Sequence, residues 1–402
     1  MDAAGDRNQA DLVVLNSCTV TAAADDDLRQ TVRRVHRENP DARIMVTGCY
    51  AQRAPEEIAA LPGVAWVVGN SDKTAIPDIV AEELGHFHGQ IHVHDIFAQH
   101  EFLSAPIADA AGDRARPNLK IQDGCNNRCS FCVIPFVRGR SRSMSEVQVL
   151  EQVRGLARNY REVVLSGVNL GRWGREPGST IRLAGLVKRM LDETSVERLR
   201  LSSVEPMDFT DELLGLMAES PRIAKHVHAP LQSGSDTVLR RMHRKYRPRH
   251  YADRVQKARA WMPDAAIGAD VMVGFPGETA AEFEETYQFI DTLPFTYLHV
   301  FTYSARPGTP AAAAPGQVPI PIRKERNRRL RELAQRKNAA FRLGFVGRTL
   351  SVVTLGQGKM ALSDNYLKVE LLAESMDNVL RDVRIGGLSE AGLREFDPLR
   401  VL

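Results

Sequence analysis

The sequence predicts an α/β protein with three parts, and three observations carry this prediction. Over the first hundred residues short apolar strands alternate with helical patterns, which is typical of a doubly wound parallel sheet. From about residue 118 a second strand–helix series repeats six times, which predicts a partial (β/α)6 barrel. From about residue 343 the segments are short, β-rich and separated by turns, which predicts a small β-barrel.

The composition fits such a fold and excludes several other classes of protein. Of the 402 residues, 43% are hydrophobic and 26% are charged, which is ordinary for a globular chain and too apolar for disorder. A net charge of +3 excludes a histone-like polycation. Five cysteines, without a recognisable secretory signal, argue against a disulfide framework. Because no apolar run reaches ~18 residues, we expect a reduced, cytoplasmic protein without a membrane span.

The first part, residues 1–100, places two cysteines at one edge of its predicted sheet. Its strands are predicted at 11–18, 43–49 and 64–70, and its helices at 24–38, from Pro55 onwards and at 73–84. Cys18 and Cys49 lie at the carboxyl ends of the first two strands. Ligands of open α/β sheets bind at that edge. Two thiols there indicate a binding role rather than a packing role.

Residues 86–117 interrupt this alternation. The segment is rich in histidine, which leaves a metal site open as one interpretation; these residues are His86, His88, His92, His94 and His100. Because alternating histidines in a polar segment are usually solvated, we interpret the segment as a connector, with a linker at 101–117.

The second series supplies the strands of the predicted barrel, which extends over residues 118–342. Its strands are expected to begin near Leu119, Glu162, Arg198, His226, Ala266 and Phe295. The active site of such a barrel lies at the carboxyl ends of its strands. An arginine-rich helix over about 321–342 ends this part, and the small β-barrel of residues 343–402 follows.

A tight group of cysteines follows the first barrel strand: Cys125, Cys129 and Cys132, with the spacing C-x3-C-x2-C. Three thiolates do not complete the four-thiolate shell of a structural zinc or ordinary iron–sulfur site. They can hold three irons of a cubane cluster and leave the fourth iron open to chelate S-adenosylmethionine (SAM). Reduction by one electron then cleaves the sulfonium and yields a 5′-deoxyadenosyl radical. The alternative is a zinc knuckle with a distant fourth ligand.

Six segments of the chain carry a family resemblance. They are NSCTVT (16–21), TGCYAQ (47–52), QDGC through RGRSR (122–142), LSSVEP (201–206), PLQSGSD (230–236) and DVMVGFPGE (270–278). With them, the chain from about residue 10 onwards resembles the radical SAM methylthiotransferase family. Within that family it is more similar to the enzymes for N6-threonylcarbamoyladenosine in tRNA than to those for isopentenyladenosine or for a ribosomal protein.

The resemblance implies an N-terminal methylthiotransferase domain, a radical SAM barrel and a C-terminal RNA-binding TRAM barrel. It implies that Cys125, Cys129 and Cys132 ligate the radical-generating [4Fe–4S] cluster, and that Cys18 and Cys49 ligate an auxiliary [4Fe–4S] cluster. In the family the auxiliary cluster has a third cysteine ligand further upstream, and this sequence contains no such cysteine. We therefore expect the sequence to start downstream of the family's first strand and to supply two ligands to the auxiliary cluster.

The reaction implied by the resemblance converts N6-threonylcarbamoyladenosine, beside the anticodon, into its 2-methylthio derivative. One SAM methylates sulfur at the auxiliary cluster, and a second SAM is cleaved so that its radical attacks C2 of the adenine. The expected partners are the anticodon stem-loop of tRNA and a reductant such as flavodoxin or ferredoxin. We expect a monomer, and the sequence leaves the sulfur donor open.

Residues at the ends of the barrel strands are candidates for SAM binding. Glycines there let the backbone approach the cofactor closely, and polar side chains could bind its ribose and methionyl carboxylate. The candidates are Gly167, Glu205, Gln232, Ser233 and Gly274. The alternative for each is an ordinary turn residue.

Arginines in two regions are candidates for RNA phosphate binding. Three follow the cysteine loop, and two lie in the arginine-rich helix: Arg138, Arg140, Arg142, Arg328 and Arg329. A solvated helical face is the alternative for the second region.

Three other functions remain open from the sequence. The same chemistry on a ribosomal protein would need no RNA, which the arginine-rich stretches argue against. A non-enzymatic RNA-binding protein with zinc would need a closed metal shell, which three cysteines do not supply. A truncated enzyme that cleaves SAM but inserts no sulfur would follow from the absent upstream cysteine.

Overall fold

The computed structural model of the chain describes residues 6, 9–82, 89–103, 115–356 and 358–401. These residues belong to two compact units, each made of several stretches of chain. The first unit draws on residues 1–103, 124–142 and 304–314, and the second on residues 104–123, 143–303 and 315–402.

The strands and helices are numbered in chain order. The strands are β1 (Leu12–Ser17), β2 (Arg43–Gly48), β3 (Val64–Val68), β4 (Gln90–His92), β5 (Asn118–Asp123), β6 (Arg142–Ser143), β7 (Glu162–Gly167), β8 (Arg198–Leu201), β9 (His226–His228), β10 (Ala266–Val273), β11 (Tyr297–Thr302), β12 (Thr349–Leu355), β13 (Gly358–Ser363), β14 (Lys368–Ser375), β15 (Leu380–Leu388) and β16 (Leu393–Glu395). The helices are α1 (Ala22–Glu38), α2 (Cys49–Arg53), α3 (Pro55–Ala59), α4 (Ile76–Glu82), α5 (Ile134–Arg138), α6 (Glu146–Ala157), α7 (Leu183–Glu193), α8 (Asp211–Glu219), α9 (Asp236–Arg241), α10 (Pro248–Trp261), α11 (Ala280–Thr292), α12 (Pro310–Ala313) and α13 (Ile320–Leu343). None of the described helices is both long enough and apolar enough to cross a membrane.

The first unit contains a parallel sheet in the order β1-β2-β3-β4, with helices on both faces. On one face Val32 of α1 packs with Ile44 of β2. On the other face Ile79 of α4 packs with Met45 and Trp66. Successive residues of β2 thus point to opposite faces, as a pleated strand requires. The predicted α/β sheet is confirmed, and its described strands lie in chain order.

Strand β4 corrects the prediction of a connector over residues 86–117. Gln90, Ile91 and His92 pair in parallel with residues 66–68 of β3 and add a fourth strand to the sheet. Three residues are too few to show a periodicity of two. The pairing with β3, which local sequence does not reveal, therefore determines this strand.

The histidines of this segment do not form a metal site within the residues that the structure describes. His86 and His88 lie outside those residues. The His94 ring lies beside Asp72, with 2.6 Å between Nδ1 and Oδ1. In the described parts of the segment, no group of three metal-ligating side chains converges on one point.

The second unit contains six parallel strands that form a partial barrel. Strands β5, β7 and β8 are hydrogen-bonded in that order, and β9, β10 and β11 form a second sheet. The Val204 amide donates to the His228 carbonyl at 3.0 Å and joins the two sheets. Each predicted strand start lies within two residues of the observed start, so the prediction of a (β/α)6 barrel is confirmed.

A closed β-barrel with strand order β12-β13-β14-β16-β15 ends the second unit. Its core includes Val352, Val369 and Ile385, which are fully buried. The prediction of a small C-terminal β-barrel is therefore confirmed. Helix α13, predicted at about 321–342, precedes it and spans Ile320–Leu343.

A buried carboxylate links the two barrels of the second unit. Both oxygens of Glu162, at the start of β7, bind Arg200: Oε1 accepts from Nε at 2.7 Å, and Oε2 accepts from Nη2 at 3.1 Å. Arg116 donates to Oε1 at 2.9 Å. Arg200 also donates to the carbonyls of Ser363 and Asp364 in the C-terminal barrel, at 2.9 and 3.0 Å. Burial alone would raise the pKa of Glu162, but the charges of Arg200 and Arg116 outweigh it and lower that pKa.

Candidate functional site

Cys18 and Cys49 lie at the same edge of the N-terminal sheet. Strands β1 and β2 are parallel, and their register ends on the pair Ser17 and Gly48. The next residue of each chain segment is a cysteine, and paired strands lie only about 4.8 Å apart. The Ser17 hydroxyl accepts the Tyr50 amide at 3.2 Å, which ties the end of β1 to the start of α2. The fold thus brings the two expected auxiliary ligands to one edge.

The buried thiol of Cys49 receives two nitrogen donors. Arg138 Nε lies 3.0 Å from Sγ, and Asn70 Nδ2 lies 3.5 Å from it. Asn70 Nδ2 also donates to the carbonyl of Val137 at 2.7 Å. Both donors hold the sulfur of Cys49 at this edge of the sheet. Cys18, by contrast, is exposed. The sequence did not predict a role for Asn70, because no local motif indicates that its side chain contacts Cys49.

A buried ion-pair network holds the segment that follows Cys18. Arg306 Nη2 donates to Thr19 Oγ1 at 2.9 Å and pairs with the carboxylate of Asp25. Arg53 pairs with the same carboxylate at 2.9 Å. Sequence reasoning also missed this network, since Arg306 and Thr19 are 287 positions apart.

The loop from Cys125 to Cys132 carries three half-buried cysteines that form no disulfide. The Cys125 amide donates to the Gly139 carbonyl at 3.1 Å, and the Cys132 amide donates to the Cys129 carbonyl at 3.1 Å. The Asn127 amide lies 3.4 Å from Cys125 Sγ, and such donors tune the potential of iron–sulfur clusters. Three half-buried cysteine sulfurs, one of which has an amide donor, suit a [4Fe–4S] cluster that keeps one iron open.

Gly124 opens this loop in a conformation that excludes a side chain. Its φ is +69°, and an added Cβ would lie 2.0 Å from the Arg140 carbonyl oxygen. We expect Gly124→Ala to distort the loop and to lower the iron bound there severalfold, measured as iron and sulfide per chain after anaerobic reconstitution. Gly155→Ala in α6 is the matched control, because no atom lies within 4 Å of its added Cβ and alanine favours a helix by about 0.5–1 kcal/mol. Equal iron content in the two variants would contradict this expectation.

Three of the five SAM candidates stand half-buried at the ends of barrel strands. Gly167 is the last residue of β7, and Glu205 and Gln232 follow β8 and β9. Gln232 has a positive φ of 65°, and such strained backbone clusters at functional sites. Glu205 pairs with the buried Arg244.

The other two SAM candidates, Ser233 and Gly274, use their polar groups within the fold. The Ser233 hydroxyl lies 3.0 Å from Thr286 Oγ1 and accepts the Ser235 amide at 3.2 Å. The Gly274 amide donates to Glu278 Oε2 at 3.1 Å. We therefore keep only the first three as residues proposed to bind SAM.

The three arginines after the cysteine loop differ in what they contact. Arg138 contacts the Cys49 thiol, whereas Arg140 is exposed. Arg142 is only 5% exposed and donates to the carbonyls of Gln99 and Arg138, at 3.2 and 2.9 Å. A buried guanidinium bound to carbonyls does not reach an RNA phosphate. The prediction of an RNA contact is therefore wrong for Arg142, and Arg140 is the best placed of the three.

The two arginines of α13 are engaged by carboxylates. Arg328 is exposed and pairs with Glu325 and Glu332 at 2.6 and 2.5 Å. Arg329 pairs with Glu284 at 2.9 Å. These pairs reduce the positive charge that this face offers to RNA, although both side chains remain at the surface.

The chain is similar to two protein-family models and to several known enzymes. Residues 119–290 match the Radical SAM superfamily, and residues 1–69 match the uncharacterized protein family UPF0004. The chain is 41% identical to a threonylcarbamoyladenosine tRNA methylthiotransferase of Bacillus subtilis, over 90% of this chain and 82% of the relative. It is 37% identical to a protein of the same name in Aquifex aeolicus, over 90% and 88%. It is 36% identical to a tRNA-2-methylthio-N(6)-dimethylallyladenosine synthase of Novosphingobium aromaticivorans, over 89% and 81%.

Among solved structures, the chain is similar in fold to the radical SAM methyltransferase TsrM of Kitasatospora setae. The TM-score is 0.56 with 16% sequence identity, over 76% of this chain and 67% of that chain. At this identity the similarity concerns the fold alone. The three relatives named above are much more similar in sequence, and each match covers most of the length of both proteins. The chain therefore belongs to the radical SAM methylthiotransferase family.

Proposed function

We propose that the protein methylthiolates C2 of N6-threonylcarbamoyladenosine in tRNA. The observation that carries this proposal is a contact, within the first unit, that links the two groups of cysteines. Helix α5, directly after the loop of Cys125, Cys129 and Cys132, places Arg138 Nε 3.0 Å from Cys49 Sγ. A methylthiotransferase needs a radical-generating site and a sulfur-carrying site close together. The names of the relatives from Bacillus subtilis and Aquifex aeolicus support the tRNA substrate.

The cysteines divide the cofactor binding between them. Cys125, Cys129 and Cys132 would hold the cluster that binds SAM, and Cys18 and Cys49 would hold the auxiliary cluster. When bound, the two [4Fe–4S] clusters and SAM supply one-electron cleavage and a methylated sulfur. Radical chemistry is required because the aromatic C2–H bond of adenine resists removal by acid–base catalysis.

The polar residues of the proposed sites would position cofactors and RNA and would not react themselves. The guanidinium of Arg138 and the amide of Asn70 would hold the Cys49 sulfur in position to bind metal. Half-buried Glu205, held by Arg244, and Gln232 would bind the polar groups of SAM. Exposed Arg140 would contact an RNA phosphate. We further propose that the protein works as a cytoplasmic monomer reduced by a flavodoxin- or ferredoxin-type partner.

The direct test offers three substrates to the reconstituted enzyme with SAM and dithionite. They are tRNA bearing N6-threonylcarbamoyladenosine, tRNA bearing the dimethylallyl derivative, and a ribosomal protein fraction. Mass spectrometry of the digested nucleosides is expected to show the methylthio product only from the first. Product only from the second or third substrate would overturn the substrate assignment. Formation of 5′-deoxyadenosine without any methylthio product would identify an enzyme limited to SAM cleavage.

Arg138 offers a test of the sulfur-carrying site alone. Arg138→Ala removes a charged donor from Cys49 Sγ, and loss of such a neighbour to a metal ligand typically costs about 10–100-fold in metal affinity or activity. We expect methylthio product to fall by about that factor, while 5′-deoxyadenosine formation without RNA persists. The matched control is Arg140→Ala, which changes an exposed arginine two residues after Arg138 and is expected to leave iron content unchanged. Equal methylthio yield from wild-type protein and Arg138→Ala would contradict this role.

A further inference from the structure

Three metal-ligating side chains converge on neighbouring strands of the partial barrel, and none of them belongs to a cysteine motif. They come from neighbouring strands: His228 from β9, Asp270 from β10 and His299 from β11. Asp270 Oδ1 lies 3.2 Å from His228 Nε2 and 3.2 Å from His299 Nδ1. All three ligand atoms lie within 4.8 Å of one another. Among the described residues, no other set of three such side chains is arranged in this way.

The spacing of these atoms suits a shared ion. Ligand atoms about 2.0–2.2 Å from one metal ion, in tetrahedral or octahedral geometry, lie about 3.0–3.4 Å apart. Both nitrogen–oxygen distances fall inside that range. Two imidazoles and one carboxylate are the donor set preferred by iron(II), zinc and related divalent transition ions. The absence of a thiolate separates this site chemically from the two cysteine sites.

A second layer of contacts orients His228 for such an ion. The Tyr297 hydroxyl lies 2.8 Å from His228 Nδ1 and 2.6 Å from His226 Nε2. It carries one proton, so it donates to one imidazole and accepts from the other. When it donates to His226, His228 donates from Nδ1, which leaves the lone pair of Nε2 directed at Asp270. This is the tautomer that metal binding requires, with the outer nitrogen held by a hydrogen bond.

The backbone makes room for this arrangement. An added Cβ at Gly268 would lie 1.9 Å from Cζ of Tyr297, so only glycine allows the tyrosine ring to occupy its position. Beside the three side chains is a cavity of about 340 Å³, which is also lined by Ser202, Ser203 and Tyr366. Three protein ligands leave coordination positions open for water or another oxygen ligand from this cavity.

We propose that His228, Asp270 and His299 bind one divalent transition metal ion in addition to the iron–sulfur clusters. The ion joins β9, β10 and β11 and keeps at least one open position toward the cavity. Tyr297 is a positioning residue that holds His228 in its binding tautomer. This site does not depend on the proposed substrate of the enzyme.

The test measures zinc bound to the protein after both clusters have been reconstituted, so that the cysteines are occupied. Equilibrium dialysis against Zn²⁺ with metal analysis is expected to give one zinc per chain, with iron unchanged. His299→Ala is the informative variant, because His299 is half exposed, at 51%, and its loss leaves the barrel core intact. The matched control is His94→Ala, which removes a histidine with the same Nδ1–carboxylate contact but no second histidine.

The expected result is loss of the bound zinc in His299→Ala and its retention in His94→Ala. Tyr297→Phe should keep the site but weaken zinc affinity by about 10–100-fold, the usual effect of losing such a partner. The proposal is overturned if wild-type protein binds no zinc under these conditions, or if His299→Ala binds as much as wild type. In either case His228, Asp270 and His299 would form only a hydrogen-bonded group.

Discussion

Replacing Cys129 with alanine is expected to abolish SAM cleavage by the reconstituted enzyme. The loop then keeps two of its three thiols, too few to hold a cubane cluster with one open iron. Even changes in residues that only support a metal ligand cost about 10–100-fold, so loss of a ligand should cost more than about 100-fold. The measurement is 5′-deoxyadenosine formed under dithionite, together with iron per chain.

Cys18→Ala is the matched control for this prediction. It also removes one free thiol, but from the edge of the N-terminal sheet. We expect it to lose the methylthio product and to keep SAM cleavage. If both variants lost cleavage equally, the two groups of cysteines would not have separate roles.

The second large effect concerns stability, at the buried carboxylate of Glu162. Glu162→Gln leaves the buried Arg200 and the half-buried Arg116 without their negative partner. Breaking a buried ion pair from one side typically costs about 3–5 kcal/mol of unfolding free energy. Chemical denaturation of the two proteins measures this loss. Glu197→Gln is the control, since its pair with Arg161 lies at the surface and exposed pairs contribute little.

The same carboxylate predicts how stability depends on pH. The folded protein holds the pKa of Glu162 below its usual value of 4.5, so the folded state favours the charged form. The stabilisation by the charged form is fully present above that value and is lost as pH falls through the lowered pKa. The stability difference between wild type and Glu162→Gln should therefore shrink in acid. A difference that stayed constant through this range would contradict the assignment.

Much of the architecture is predictable because it depends on local patterns. The strands that begin at Glu162, Arg198 and His226 start at the residues predicted from the sequence. The C-x3-C-x2-C spacing is likewise local and indicates its chemistry without a structure. Cys18 and Cys49 were predictable as neighbours, because parallel strands bring their carboxyl ends to one edge.

The features that sequence reasoning missed depend on contacts between distant segments. Strand β4 is too short to carry a pattern and exists through its pairing with β3. Arg142 looks like a surface residue in a basic run, but its guanidinium binds the carbonyl of Gln99. His228, Asp270 and His299 lie on three strands whose register cannot be read from one sequence. One local signal for this group was present in the sequence. His226 and His228, at the two ends of β9, are two residues apart and therefore point to the same face of the strand.

Iron and sulfide analysis of the anaerobically reconstituted chain tests the central claim most directly. Two separate cysteine sites, each holding a [4Fe–4S] cluster, predict about eight irons and eight sulfides per chain. About four of each would mean that Cys18 and Cys49 hold no cluster, and the enzyme could not carry sulfur as proposed. Zinc in place of iron at the cysteines would contradict radical SAM chemistry in this chain altogether.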